Sequence, residues 1–147
     1  MQSRLFLIAL AAVPTAISAA PAPAPSPAPA RRPLVVIDER ATVRTEPPPH
    51  GAIGTSTAYR ISDGVPGRTM EFRKRVLHPG AAIGAHRIAH DEVYYVIAGA
   101  GEVTSGTEQR RLSVGMAAYL YAGETVGIRQ VGSAPLTLIV SYPIVPK

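Results

Sequence analysis

From residue 33 onward the chain is written in short apolar runs, cut by Gly, Pro and Ser. Leu34-Val-Val-Ile37 is the first. Thr55 to Ile61 is rich in Thr and Tyr, and Ser62-Asp-Gly-Val-Pro-Gly67 follows as a turn cluster. Thr69 to Leu77 alternates, with Met70, Phe72 and Val76 on one face and Glu71, Arg73 and Arg75 on the other. Lys74 falls on the apolar side, as a rim residue or a pocket cation. His78-Pro-Gly80 turns the chain, and Glu92 to Ala98 is the next strand. Gly99-Ala-Gly101 opens a hairpin into Glu102-Val-Thr104, and Ser105-Gly106 turns again. Arg110 to Val114, Ala117 to Tyr121, Thr125 to Val131 and Leu136 to Tyr142 complete the set. No segment holds a 3.6-residue period over ten residues, and no internal repeat is visible. Short strands between turn residues predict an all-β sandwich or barrel.

The N-terminus reads differently. Arg4 precedes an apolar stretch from Leu5 to Val13, then Pro14 and small residues. That is long enough for a signal core and far short of the roughly 20 residues that span a bilayer. Residues 1–19 are therefore expected to be a Sec-type signal peptide, with a periplasmic or secreted product and no stable membrane insertion after processing. Intact mass of exported protein would show loss of about 18–20 residues. Residues 20–32 form a Pro/Ala-rich linker, which favours polyproline II and buries little. Residues 33–147 are the folded domain, one by size.

Composition narrows the function. The formal charge is +5, but the basic residues are scattered and aromatics are few, so nucleic acid is not an expected partner. With no cysteine, stability rests on an ordinary apolar core.

The chemistry concentrates between Gly80 and Gly99. His86, His90 and Glu92 share parity, so an extended strand sends all three to one face. Two imidazoles and a carboxylate suit a divalent metal: Fe, Mn, Zn or Ni. The spacing Gly80, five residues, His86, one, Ile88, three, Glu92, six, Gly99 resembles the first signature motif of the cupins. Gly115, Tyr121, Gly123, Val126 and Gln130 keep the spacing of the second motif, and the likeness runs from about Val76 to Pro143. The resemblance implies a cupin-type double-stranded β-helix, a jelly-roll barrel. It also implies three His and one Glu as metal ligands. Here Ile88 and Val126 stand at two of the His positions, so the centre is degenerate, with His90 as the candidate third ligand.

Tyr94, Tyr119, Tyr121, Arg129 and Gln130 are candidates to line the pocket, offering rings to stack on and donors for a carboxylate or hydroxyl. His50 and His78 sit in Pro/Gly turns and read as surface. The favoured function is binding of a small molecule, a sugar or organic acid, in this degenerate site. The alternative is a metal-dependent oxygenase, isomerase or lyase using His86, His90 and Glu92. A metal-free enzyme with the His/Glu pair as general base is a third reading. A homodimer is expected, with Leu34 to Ile37 or Leu136 to Tyr142 covering the sheet edge of a second copy.

Overall fold

The structure, a computed structural model, describes residues 31–144. The expected signal peptide and linker up to residue 30 lie outside the described residues. Ten strands follow a single 3₁₀ turn at Glu39–Thr42, which Asp38 caps by accepting from the Arg40 amide. They are β1 Val43–Glu46, β2 Ser56–Tyr59, β3 Met70–Leu77, β4 Ala82–Arg87 and β5 Glu92–Ala98. β6 Ala100–Ser105, β7 Glu108–Ser113, β8 Ala117–Leu120, β9 Thr125–Gln130 and β10 Leu136–Pro143 complete the set. They form a six-stranded sheet, β1-β2-β3-β10-β5-β8, and a four-stranded sheet, β4-β9-β6-β7. Every pairing is antiparallel. The strand pattern implied an all-β sandwich or barrel, and the two antiparallel sheets form the jelly roll that the cupin resemblance implied. No helix among the described residues is long and apolar enough to cross a membrane.

The core lies between the sheets. Leu77, Val96, Leu136 and Leu138 from the larger sheet meet Val103, Leu112, Val126 and Ile128 from the smaller one, all buried. Gly99 at φ +71 makes the sharp β5–β6 turn, where a Cβ would stand 2.2 Å from the Pro135 carbonyl oxygen. Only glycine takes both that conformation and that approach.

Three sequence expectations change. Leu34 to Ile37 forms no strand, and Leu34 and Val36 stand almost fully in solvent. Leu136 to Tyr142 is no edge. It runs between β3 and β5 and is hydrogen-bonded on both sides, so it has no free backbone to offer another chain. The third change sets up the site. β3 turns its charged side inward: Glu71 and Arg75 are buried, while Met70 and Phe72 are exposed. Lys74 therefore faces outward, neither rim nor pocket. Its ammonium lies 3.8 Å over the Tyr59 ring and pairs with Glu39.

That inversion gives the barrel a polarity. Read from its buried end, the inward side chains of β3 run Leu77, Arg75, Arg73, Glu71. Those of β10 run Leu136, Leu138, Val140, Tyr142, and those of β5 run Val96, Tyr94, Glu92. Each strand passes from hydrocarbon to polar groups in the same direction, and the polar end is where a cavity opens.

Candidate functional site

A cavity of about 340 Å³ lies between the sheets at this polar end. Its walls come from β3, β4, β5, β10, the segment after β4 and the turn at Pro49-His50. Four expected site residues line it: His86, His90, Glu92 and Tyr94. Four residues missed by the sequence reading line it too: His50, Arg73, Arg75 and Tyr142.

His50 arrives through a close backbone approach. The Gly84 amide donates to the Pro49 carbonyl at 3.3 Å, and a Cβ on Gly84 would lie 1.6 Å from the His50 carbonyl oxygen. Only a residue without a side chain admits the turn there. The His50 ring then stacks flat on His86, centroids 3.6 Å apart and planes 6° from parallel. His50 holds φ +60, a conformation that non-glycine residues adopt at a cost. Burial, and then the charge of His86, push its imidazole below the ordinary range. One ring of the pair therefore stays neutral near pH 7. On another wall His90 stacks on Tyr142 with centroids 4.4 Å apart and planes 7° from parallel.

The arginines are held in a lattice of carboxylates. Arg75 donates to Ser56 Oγ at 2.8 Å and to Glu46 Oε1 at 2.9 Å. Arg73 pairs with Glu71 at 2.9 Å and Asp63 at 3.3 Å. Glu71 also accepts from Ser62 Oγ at 2.7 Å. Burial opposes its ionisation, but Arg73, Ser62 and Arg68 outweigh that and hold its carboxyl below the usual range.

Glu92 is the exception. Only 5% of it is exposed, and its carboxyl takes no hydrogen bond from any described residue. Burial pushes its pKa up to about 7, with the Arg73 charge opposing only in part. Tyr94 beside it is raised further by burial and by the Glu92 charge, so it remains a phenol.

A pH dependence follows. The folded pKa of Glu92 exceeds the ordinary value near 4.5, so its ionisation costs more in the folded state than in the unfolded one. Its favourable contribution is complete below about pH 4 and is lost as pH rises towards 7. Glu92→Gln should be about 2–3 kcal/mol more stable than the natural chain at pH 8, with no advantage at pH 4. Urea melts at the two pH values measure this, and equal stability at pH 8 would refute it.

The remaining expected pocket residues lie elsewhere. Tyr119 and Tyr121 are exposed, because β8 turns Tyr119 to the outer side of the sheet beside Val93, where its hydroxyl donates to Asp91 at 2.6 Å. Arg129 points outward from β9 and donates to Glu102 at 2.6 Å. Gln130 is buried, but its amide ties loops together: it accepts from the Gly80 amide and donates to the Gly132 and Ala134 carbonyls.

A profile of the cupin domain matches residues 74–142. The chain belongs to the cupin superfamily. Solved structures agree on the fold. A predicted oxalate decarboxylase from Thermotoga maritima aligns with TM-score 0.67 at 18% identity, covering 76% of this chain and all of that one. A cupin 2 conserved barrel protein from Rhodopseudomonas palustris gives 0.61 at 15%, covering 71% and 74%. A sugar phosphate isomerase from Silicibacter pomeroyi gives 0.56 at 21%, covering 62% and 60%. No curated protein matches the chain.

Many cupins hold a divalent metal, and the donors here can be tested against one. The two aliphatic positions are packed: Ile88 is 4% exposed and Val126 not at all. Val126 stands directly across from His86 in the β4–β9 pairing, so hydrocarbon fills the place of a ligand. Nδ1 of His86 lies 2.9 Å from the Gly84 carbonyl, and Nδ1 of His90 lies 3.3 Å from that of Asp91. Among the described residues no three His, Cys, Asp or Glu side chains gather as a metal site. His86, His90 and Glu92 share a cavity but do not gather as one ligand set. The donor set does not fit a resident metal.

Proposed function

We propose that this cupin is an exported small-molecule-binding protein whose ligand, a sugar or small organic acid, occupies the cavity between His86, His90, Glu92 and Tyr94 without a tightly held metal. One observation carries the reading. Glu92 is 5% exposed and faces the cavity, and its carboxyl makes no hydrogen bond with a described residue while the Arg73 charge only partly offsets its burial; such groups are normally satisfied. A ligand hydroxyl or carboxyl can supply the missing hydrogen bond. Stacked rings on two walls and an arginine on a third suit a small polar molecule with some apolar surface. Export rests on the leader-like N-terminus alone, and the ligand class rests on the lining.

Glu92 also favours a second reading. A carboxyl poised near pH 7 in a cleft is suited to proton transfer, so a metal-independent acid–base enzyme is the alternative. A metal-dependent enzyme has the least support, because two ligand positions are aliphatic.

The test is calorimetric titration of the chelator-treated chain with hexoses and with three- to six-carbon hydroxy acids. At least one compound should bind, and Glu92→Gln should weaken it tenfold or more. Equal binding by the natural and Glu92→Gln chains would remove the assignment. Turnover of the bound compound, lost in Glu92→Gln, would select the enzyme reading.

A further inference from the structure

Three arginines line the cavity: Arg73, Arg75 and Arg87. Two are already committed. Arg75 serves Ser56 and Glu46, and Arg73 pairs with Glu71 and Asp63. Arg87 differs. Among the described residues, none forms an ion pair or a hydrogen bond with its guanidinium. The Gly123 turn lies beside it, where a Cβ would stand 3.8 Å from Nη2. The fold brings Arg87 to the cavity by breaking a strand rule. Successive side chains on a regular strand point to opposite faces, so His86 and Arg87 should not share a wall. On β4, however, the steps from Ile83 to His86 match the shorter run from Ile128 to Val126 on β9, and the strand ends at Arg87. An extra residue of this kind re-aims the side chains around it. His86, Arg87 and Ile88 consequently all line the cavity, with Arg87 exposed at its mouth.

We infer that Arg87 decides the ligand class of this cavity: it takes the carboxylate of a small hydroxy acid, while a hydroxyl of the same molecule meets Glu92. The inference rests on the binding role proposed above and narrows it, because an acid is chosen over a neutral sugar. Charge sets the orientation. Glu92 is the one acidic residue among the described lining, and it is buried. A second carboxylate placed against it would share a site in which like charges oppose each other, whereas a hydroxyl brings no charge. The carboxylate end therefore belongs at the unmatched cation. A guanidinium there offers parallel N–H donors that fit both carboxylate oxygens. Arg73 and Arg75 are poorer hosts. To turn to a ligand they would have to give up Glu71, Asp63 or Glu46, and Glu71 is itself buried. A neutral sugar satisfies Glu92 as well as an acid does, but it leaves Arg87 without a counter-charge.

Calorimetric titration of the chelator-treated chain tests this with matched compounds. Each hydroxy acid is paired with its primary amide, from lactate and lactamide to gluconate and gluconamide, so that one charge separates the members. The acid that binds best should exceed its amide by at least about tenfold. Arg87→Met, which keeps the apolar stem, should erase that margin by weakening the acid alone. Arg87→Lys should restore part of it. Arg111→Met removes another exposed arginine, on β7 and outside the cavity, and should change neither compound. Circular dichroism melts check that each variant is folded. The inference is overturned if acid and amide bind alike, or if Arg87→Met weakens both equally. Loss of the margin in Arg111→Met would also overturn it, by assigning the effect to overall charge. Binding of hexoses but of no acid would overturn it and leave the binding role standing. Binding of no compound at all would remove both.

Discussion

Arg75→Ala is expected to destabilise the domain by about 2–4 kcal/mol, because a buried side chain is lost and buried Ser56 and half-buried Glu46 each lose a donor. Arg75 has 5% of its side chain exposed and serves two acceptors, Ser56 Oγ and Glu46 Oε1. Ser56 is fully buried and its hydroxyl donates a hydrogen bond to the Glu46 backbone carbonyl, tying β1 to β2. Burial opposes ionisation of Glu46, but hydrogen bonds from Arg60 and Arg75 hold its carboxyl below the ordinary range. With alanine at 75, Glu46 keeps Arg60, and the cavity that Arg75 lines grows. Arg75→Met combined with Glu46→Leu should recover most of the loss, because hydrocarbon then replaces both charges. Urea melts at pH 7 measure both variants. A loss under about 1 kcal/mol for Arg75→Ala would mean that water already satisfies Glu46.

The second large effect is a gain. Ile88→His with Val126→His should convert the pocket into a metal centre. Both positions are packed inside the barrel, and Val126 already faces His86 across paired strands. Without metal the double variant should lose about 2–4 kcal/mol, because two polar rings enter a hydrocarbon core. With zinc or nickel at about 1,000 times the dissociation constant, binding should return about 4 kcal/mol. Melts with and without metal, and a direct metal titration, measure this. A double variant that binds metal no better than the natural chain would show that the barrel lacks the required geometry.

How much of this was legible in the sequence depended on where the signals lay. β5 to β10 were readable because apolar runs alternate with Gly and Ser turns. Leu34 to Ile37 misled because an apolar run is no strand without a partner to pair with. β1 escaped notice because Val43-Arg-Thr-Glu46 is mostly polar, and its pairing with β2 is a tertiary fact. β3 was read as a strand but with its faces reversed. On β3 the apolar parity, Met70 and Phe72, faces out and the charged parity faces in, so hydrophobicity pointed the wrong way, and the wrong choice turns every side chain over. That one inversion hid Arg73 and Arg75. The repeated charge at Glu71, Arg73 and Arg75 was the available clue, since three charged residues on one strand parity must pair or be solvated. His86, His90, Glu92 and Tyr94 were found because they lie close together in sequence. His50 was not, because the approach of its turn to Gly84 is set by folding alone.

The central claim is that this cavity works without a tightly held metal. Metal analysis of the purified chain, after exposure to iron, manganese, zinc and nickel followed by dialysis, tests it most directly. Far less than one ion per chain is expected, unchanged in His86→Ala and His90→Ala. One ion per chain, lost in either variant, would contradict it and return the metal-dependent enzyme to first place.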